Sequence, residues 1–301
     1  MNPESKNLKK MINQISDLPS LPTVIPRLLS ALKNPSTSAA EVEKILLSDP
    51  SLTAKTLKLV NSSYYGLNRR IESLKDAIVY LGFTTVRNLA LGASVIFLTK
   101  KEINNSKEDD QTVEFDIGGL WEKAIATGIA AETTARRIRY PKAEDAMLAG
   151  LLHILGTVIL YVYFRKDLKK AIDLAHEKRC SLLTAENEIF GVKDPEIAGW
   201  LGRNWDLPEN IICGLSYYHN PMQAPEEQMM LPLLVYVGEK IVRAKGIGWS
   251  GDNIGLSCDE QILSQIGITG SELIVILKQF DRDLKDASEF MEMARELKID
   301  E

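Results

Sequence analysis

Apolar residues along this chain recur at intervals of three and four, and the two-residue alternation of a surface strand is almost absent. Ile45, Leu46, Leu52, Leu57 and Val60, followed by Ala77, Ile78 and Leu81, fall at these spacings and predict short amphipathic helices of about three turns. Start signals stand between them. Ser38-Ala39-Ala40-Glu41 has the form of a capping box, and Ser73-Leu74-Lys75-Asp76 is an acidic variant of it. Asp49-Pro50 sets a cap residue ahead of a proline at the first helical position, and Asp194-Pro195 repeats the device, so Asp194 is expected first as a cap. The same periodicity predicts helices over 120–140, 143–155, 158–164, 168–179, 182–190, 195–204, 208–218 and 231–245, with the longest, terminal helix over 271–297. The chain reads as all-α.

A polar run from Lys100 to Asp110 interrupts the pattern, and its charge density argues against burial. With 301 residues, a length suited to about two domains, the expectation is a two-lobed protein. A helical bundle would occupy 1–107, with a linker near 100–112, and a second helical lobe 108–301. The segment from Gly246 to Asp252, containing Trp249, predicts an irregular surface loop. Residues 146–164 form nineteen positions without a formal charge, about the length of a membrane span. His153 and the Gly156-Thr157 pair interrupt them, which predicts two shorter buried helices and no membrane crossing.

The net charge of −5 argues against bulk nucleic acid or an anionic membrane as the main partner, since both call for surplus Lys and Arg. Cys180, Cys213 and Cys258 are odd in number and far apart, and the N-terminus lacks the apolar core of a secretory signal, so the expected location is cytoplasmic. Two basic clusters stand out locally, Asn68-Arg69-Arg70 and Arg136-Arg137-Ile138-Arg139-Tyr140. Together with Asn61, Tyr64 and Tyr65 they form a candidate surface for a partner or phosphorylated ligand, through Arg69, Arg70, Arg136, Arg137 and Arg139. The competing reading is structural: arginines in a last helical turn complement the dipole, and Gly66 ends a helix in a left-handed conformation. Gly-rich phosphate loops, Gly-x-Ser-x-Gly elbows and spaced Cys-His pairs are absent from the sequence.

Several motifs occur in a fixed order. They are Leu18-Pro19-Ser20-Leu21-Pro22, Leu47-Ser48-Asp49-Pro50-Ser51-Leu52, Leu59-Val60-Asn61-Ser62-Ser63-Tyr64-Tyr65-Gly66, the run Ile71 to Gly82, and Val86-Arg87-Asn88-Leu89-Ala90. Leu120-Trp121, Ala149-Gly150-Leu151-Leu152-His153, Gly199-Trp200-Leu201 and Tyr217-Tyr218-His219-Asn220-Pro221 follow. In this order they resemble the HDOD family, a bacterial relative of HD-type metal-dependent phosphohydrolases, over most of the chain.

The resemblance implies a helical HD-like domain whose metal positions can be compared one by one. His153 and His219 are retained; the other positions correspond to Lys123, Ile154, Asp194, Asn220 and Glu239. Isoleucine offers no lone pair to a hard cation, and an ammonium repels one, so these replacements imply a degenerate pocket without metal, cofactor or catalysis. Lys123 is expected where the metal would sit, paired with Asp194 or Glu239 and hydrogen-bonded to His219, because a buried cation needs such acceptors. Plainer readings place Lys123 on an exposed helix face, make His153 a core histidine bonded to a carbonyl, and set His219 at a helix C-terminus. If any metal is bound, the candidate ligands are His153, Asp194, His219 and Glu239. The implied function is a non-catalytic bacterial regulatory module of signal transduction. Its expected partners are signalling proteins met in trans, of a cyclic-dinucleotide or two-component pathway. The rival is a phosphohydrolase acting on nucleotides or cyclic dinucleotides through an altered ligand set.

Overall fold

A computed structural model describes residues 21–32, 36–105, 115–252 and 259–295. The Leu18-Pro19-Ser20 part of the first motif, the polar run from Ser106 onward, Cys258 and Leu297 lie outside the described residues. Among those described there is helix but no strand. The early helices are α1 (Val24–Leu32), α2 (Ala39–Leu46), α3 (Pro50–Val60) and α4 (Leu74–Asn105). Next come α5 (Ile117–Arg137), α6 (Ala143–Leu152), α7 (Leu155–Tyr163), α8 (Arg165–Lys178) and α9 (Leu182–Phe190). The last are α10 (Asp194–Asn204), α11 (Glu209–Tyr217), α12 (Met230–Ala244), α13 (Glu260–Gln265), α14 (Gly270–Asp286) and α15 (Ser288–Arg295).

The predicted caps at Ser38 and Asp49 form. Ser38 and Glu41 exchange bonds as a capping box, and Asp49 accepts the Leu52 N–H at 2.9 Å. Asp194 departs from its expected role: its side chain makes no cap bond and turns inward, while Glu196 receives the Lys193 N–H at 3.3 Å. Three boundaries also differ. Helix α4 continues through the first part of the polar run, because Ile103 is buried there, and it is interrupted at Gly82, whose φ of 83° no helix contains. The expected single terminal helix is broken at Ala287 into α14 and α15, which lets Phe290, Met293 and Ala294 reach the core. The long apolar segment breaks at His153 and Ile154, ahead of the Gly-Thr pair.

Helix α5 is the axis of the fold, buried almost from end to end and flanked by α6, α12, α14 and α15. Its approach to α6 is backbone against backbone: a Cβ on Gly150 would lie 2.6 Å from the Cα of Gly128. Buried apolar side chains form one cluster running from Leu21 to Ala294. Leu74–Ile103 and Ala143–Tyr163 are long and apolar enough to cross a membrane, yet the second is 89% buried inside the fold and the first is bent at Gly82.

The early motifs turn out to be joints. Asn61 donates to the carbonyls of Leu57 and Ile71, each at 2.8 Å, and accepts the Ile71 N–H at 2.7 Å, which fixes the loop after α3. Arg87 and Asn88 reach Asp145 at the start of α6, and Asn210 of α11 donates to its other oxygen at 2.9 Å. Tyr64 donates to Glu132 at 2.5 Å, and Arg136 holds the same carboxylate at 2.7 Å.

Gly156 allows α7 to rest on the start of α10, since an added Cβ would sit 1.9 Å from the Asp194 carbonyl oxygen. Gly156→Ala is expected to cost about 1–3 kcal/mol by chemical denaturation, the usual range for overpacking against backbone. Gly270→Ala, where nothing lies within 4 Å, should stay within about 0.5 kcal/mol of wild type.

Candidate functional site

The sequence places a lysine in the most buried helix of the molecule. Lys123 follows Leu120 and Trp121 on α5, and its side chain is 10% exposed. Its ammonium meets Glu239 of α12, with Nζ 3.3 Å from Oε1, as one of the two expected pairings proposed. Lys240 and Arg243 stand 3.6 and 3.5 Å from the same carboxylate. Burial opposes ionisation of Glu239, but Lys123 foremost, with Lys240, His219 and Arg243, holds it down at about 2. The pair is therefore ionic.

His153 closes α6, where the helix ends and its ring turns inward. Its Nδ1 lies 2.5 Å from the Gly150 carbonyl oxygen, which can only accept, so Nδ1 carries the proton and Nε2 the lone pair. That Nε2 is buried and has no hydrogen-bond partner. Burial first, and the Lys123 charge second, lower the imidazole to about 4, which keeps it neutral. Ile154 is buried beside it and caps nothing.

His219 follows α11 and packs its ring 4.0 Å, centroid to centroid, from that of Tyr218. Burial lowers it well below the ordinary histidine range, with Lys123, His153 and Lys240 acting in the same direction. Asn220 lies at the exposed rim. Asp194 is held by Thr157 and Tyr218, both donating to Oδ2 at 3.3 Å. Burial pushes its carboxyl up to about 6 against the pull of Lys123. Its own backbone N–H donates to Glu186 at 2.9 Å, and burial together with the Asp194 charge drives Glu186 well above the carboxylate range.

These residues enclose a cavity of about 390 Å³. Lys123, His153, Ile154, Asp194, His219, Asn220 and Glu239 all line it, so positions scattered over more than a hundred residues converge on one space. Glu186, Lys193, Lys240, Arg243 and Asp252 also line it without standing out in the sequence as site residues, and Thr157 and Tyr218 stand out there only as part of a helix break and of a motif. Arg243 carried a signal, the i,i+4 spacing from Glu239. The loop with Trp249 closes one side: the Trp249 N–H donates to the Gly119 carbonyl at 3.0 Å, and Asp252 pairs with Arg243 and accepts the Leu182 N–H at 2.9 Å.

Among the described residues no three His, Cys, Asp or Glu side chains are grouped to hold a metal ion. The donor chemistry agrees, since an ammonium already neutralises Glu239 and Ile154 supplies no ligand. The residues present do not fit a binuclear centre.

Of the candidate partner surface, Asn61, Tyr64 and Tyr65 are drawn into the fold, while Arg69, Arg70, Arg136, Arg137 and Arg139 stay exposed. Asn61, Tyr64 and Arg136 make the internal bonds described above, and Tyr65 packs edge-on to Tyr64 and against Phe290. Arg137 pairs with Glu272 at 2.8 Å, and Arg69 lies over the Tyr80 ring. Arg70 and Arg139 are exposed, the latter in a left-handed conformation at φ 59°.

The structure is similar to an HDOD domain protein of Geobacter sulfurreducens, with TM-score 0.78 and 22% identity over 98% of both chains. It is also similar to a Shewanella amazonensis protein named provisionally as a phosphohydrolase, with TM-score 0.70 and 21% identity over 94% of this chain and 97% of that one. A Marinobacter aquaeolei protein named provisionally for signal transduction gives TM-score 0.70 and 23% identity over 98% of this chain and 66% of that one. These likenesses show the fold. In sequence, an uncharacterized protein of Treponema pallidum is 26% identical over 79% of this chain, and the YuxH protein of Bacillus subtilis 25% over 65%. The chain spans less than half the length of either, 45% and 48%. The HDOD domain model matches residues 18–221, which take in helices α1 to α11 and the cavity lining up to Asn220, and the chain belongs to the HDOD domain family.

Proposed function

We propose that this protein is a non-catalytic regulatory module of signal transduction, which responds to a small ligand or a protein partner. The observation that carries this reading is the Lys123 ammonium, 3.3 Å from Glu239 inside the cavity. Metal-assisted hydrolysis needs carboxylates and neutral imidazoles converging on an ion, and a fixed cation among them repels that ion. The Marinobacter neighbour, whose name assigns it provisionally to signal transduction, is consistent with this use of the fold.

A second reading has one observation in its favour. His153 and His219, both held neutral, line the same cavity as Asp194 and Glu239, residue types an altered mononuclear site would draw on, and the Shewanella neighbour is named provisionally as a phosphohydrolase. The two readings separate on purified protein. Elemental analysis should find no stoichiometric Fe, Mn or Zn, and a panel of phosphodiesters and nucleotides with added Mn or Fe should give no turnover. A full equivalent of metal, with turnover that His153→Ala abolishes, would establish the enzyme instead.

A further inference from the structure

Four cationic side chains give the cavity groups that meet negative charge, among the carboxylates of Glu186, Asp194, Glu239 and Asp252 that share its lining. Lys123, Lys193, Lys240 and Arg243 line it, and the first turns of α7, α9 and α10 form part of its wall through Thr157, Leu183 and Asp194. Helix N-termini and cations both attract anions. The protein already seats its own carboxylates at two of these ends, Asp252 on the Leu182 N–H and Glu186 on the Asp194 N–H, each at 2.9 Å. About 390 Å³ remains, within the ordinary range of small-molecule sites.

His153, in the same lining, asks for something different. The buried Nε2 of His153 has no partner, and because Nδ1 donates to Gly150, Nε2 can only accept. A simple anion would meet the cations and leave this nitrogen unsatisfied, whereas a neutral sugar would do the reverse. A ligand carrying both an anion and a hydroxyl answers both demands. Phosphate suits these cations better than a single carboxylate, having more acceptor oxygens to share among several donors.

We propose that the cavity binds a small hydroxyl-bearing phosphate ester, with its phosphate against Lys193, Lys240 and Arg243 and a hydroxyl donating to Nε2 of His153. This deepens the non-catalytic reading and rests on it, since the ester is held without being hydrolysed.

Isothermal titration of the full chain with ribose 5-phosphate, ribose and inorganic phosphate tests it, with released phosphate measured in the same samples. Ribose 5-phosphate is expected to bind saturably at one site, inorganic phosphate more weakly and ribose not at all. The double variant Lys193→Gln/Lys240→Gln, with both changes at the cavity mouth, should keep its melting temperature and bind ribose 5-phosphate at least about tenfold more weakly. No saturable binding of ribose 5-phosphate, or equal binding by the double variant, would overturn the site. Ribose 5-phosphate binding no tighter than inorganic phosphate would overturn the role given to His153. Binding accompanied by phosphate release would contradict the non-catalytic reading while supporting the site; absence of both would remove the site and leave that reading standing.

Discussion

An ammonium group inside a helix buried on nearly every side has to be neutralised within a few ångströms, and much of this structure follows from meeting that demand at Lys123. A lone buried cation costs several kcal/mol, far more than one helix contact returns. Glu239 answers it from α12, and α12 can reach because it packs closely along α5. Lys240 and Arg243 then balance the carboxylate from its own helix, and Arg243 in turn fixes Asp252 and the loop that closes the cavity. The polar wall of the site is thus a chain of charges, each placed by the one before.

The rest of the site depends on close backbone approach. The Gly128–Gly150 contact sets α6 against α5, so that His153, at the end of α6, arrives beside Lys123. Gly156 lets the following helix settle on the start of α10, which carries Asp194 inward to Thr157 and Tyr218. Fold and pocket are therefore one packing problem. The early motifs take part as joints, because Tyr64 and Arg87 bind carboxylates on α5 and α6 and hold the first helices against the core.

Much of this was legible in the sequence, and what was not has physical reasons. The helices could be read because one-sided burial imposes a 3.6-residue period, and the caps at Ser38 and Asp49 because their bonds are local. The break at His153-Ile154 could not, since the run is apolar on all sides and carries no period to lose. Asp194 misled because a carboxylate before proline is the same local signal whether it caps its helix or turns into a cavity; Tyr218 and Thr157 decide, and both are distant in sequence. Lys123 stood out only through the family resemblance. Glu186 and Asp252 had no motif, since their significance comes from helix N-termini that meet only in the folded chain.

The account stands or falls on the Lys123–Glu239 pair acting as an internal substitute for a bound cation. A double-mutant cycle on stability, using Lys123→Met, Glu239→Leu and both together, measures it directly. Glu239→Leu should cost about 3 kcal/mol or more by stranding the ammonium, and Lys123→Met less, because Lys240 and Arg243 remain beside the carboxylate. The double variant should recover much of that loss, for a coupling of about 2 kcal/mol. Additive losses, within about 0.5 kcal/mol, would show that the two charges do not depend on one another and would contradict the account.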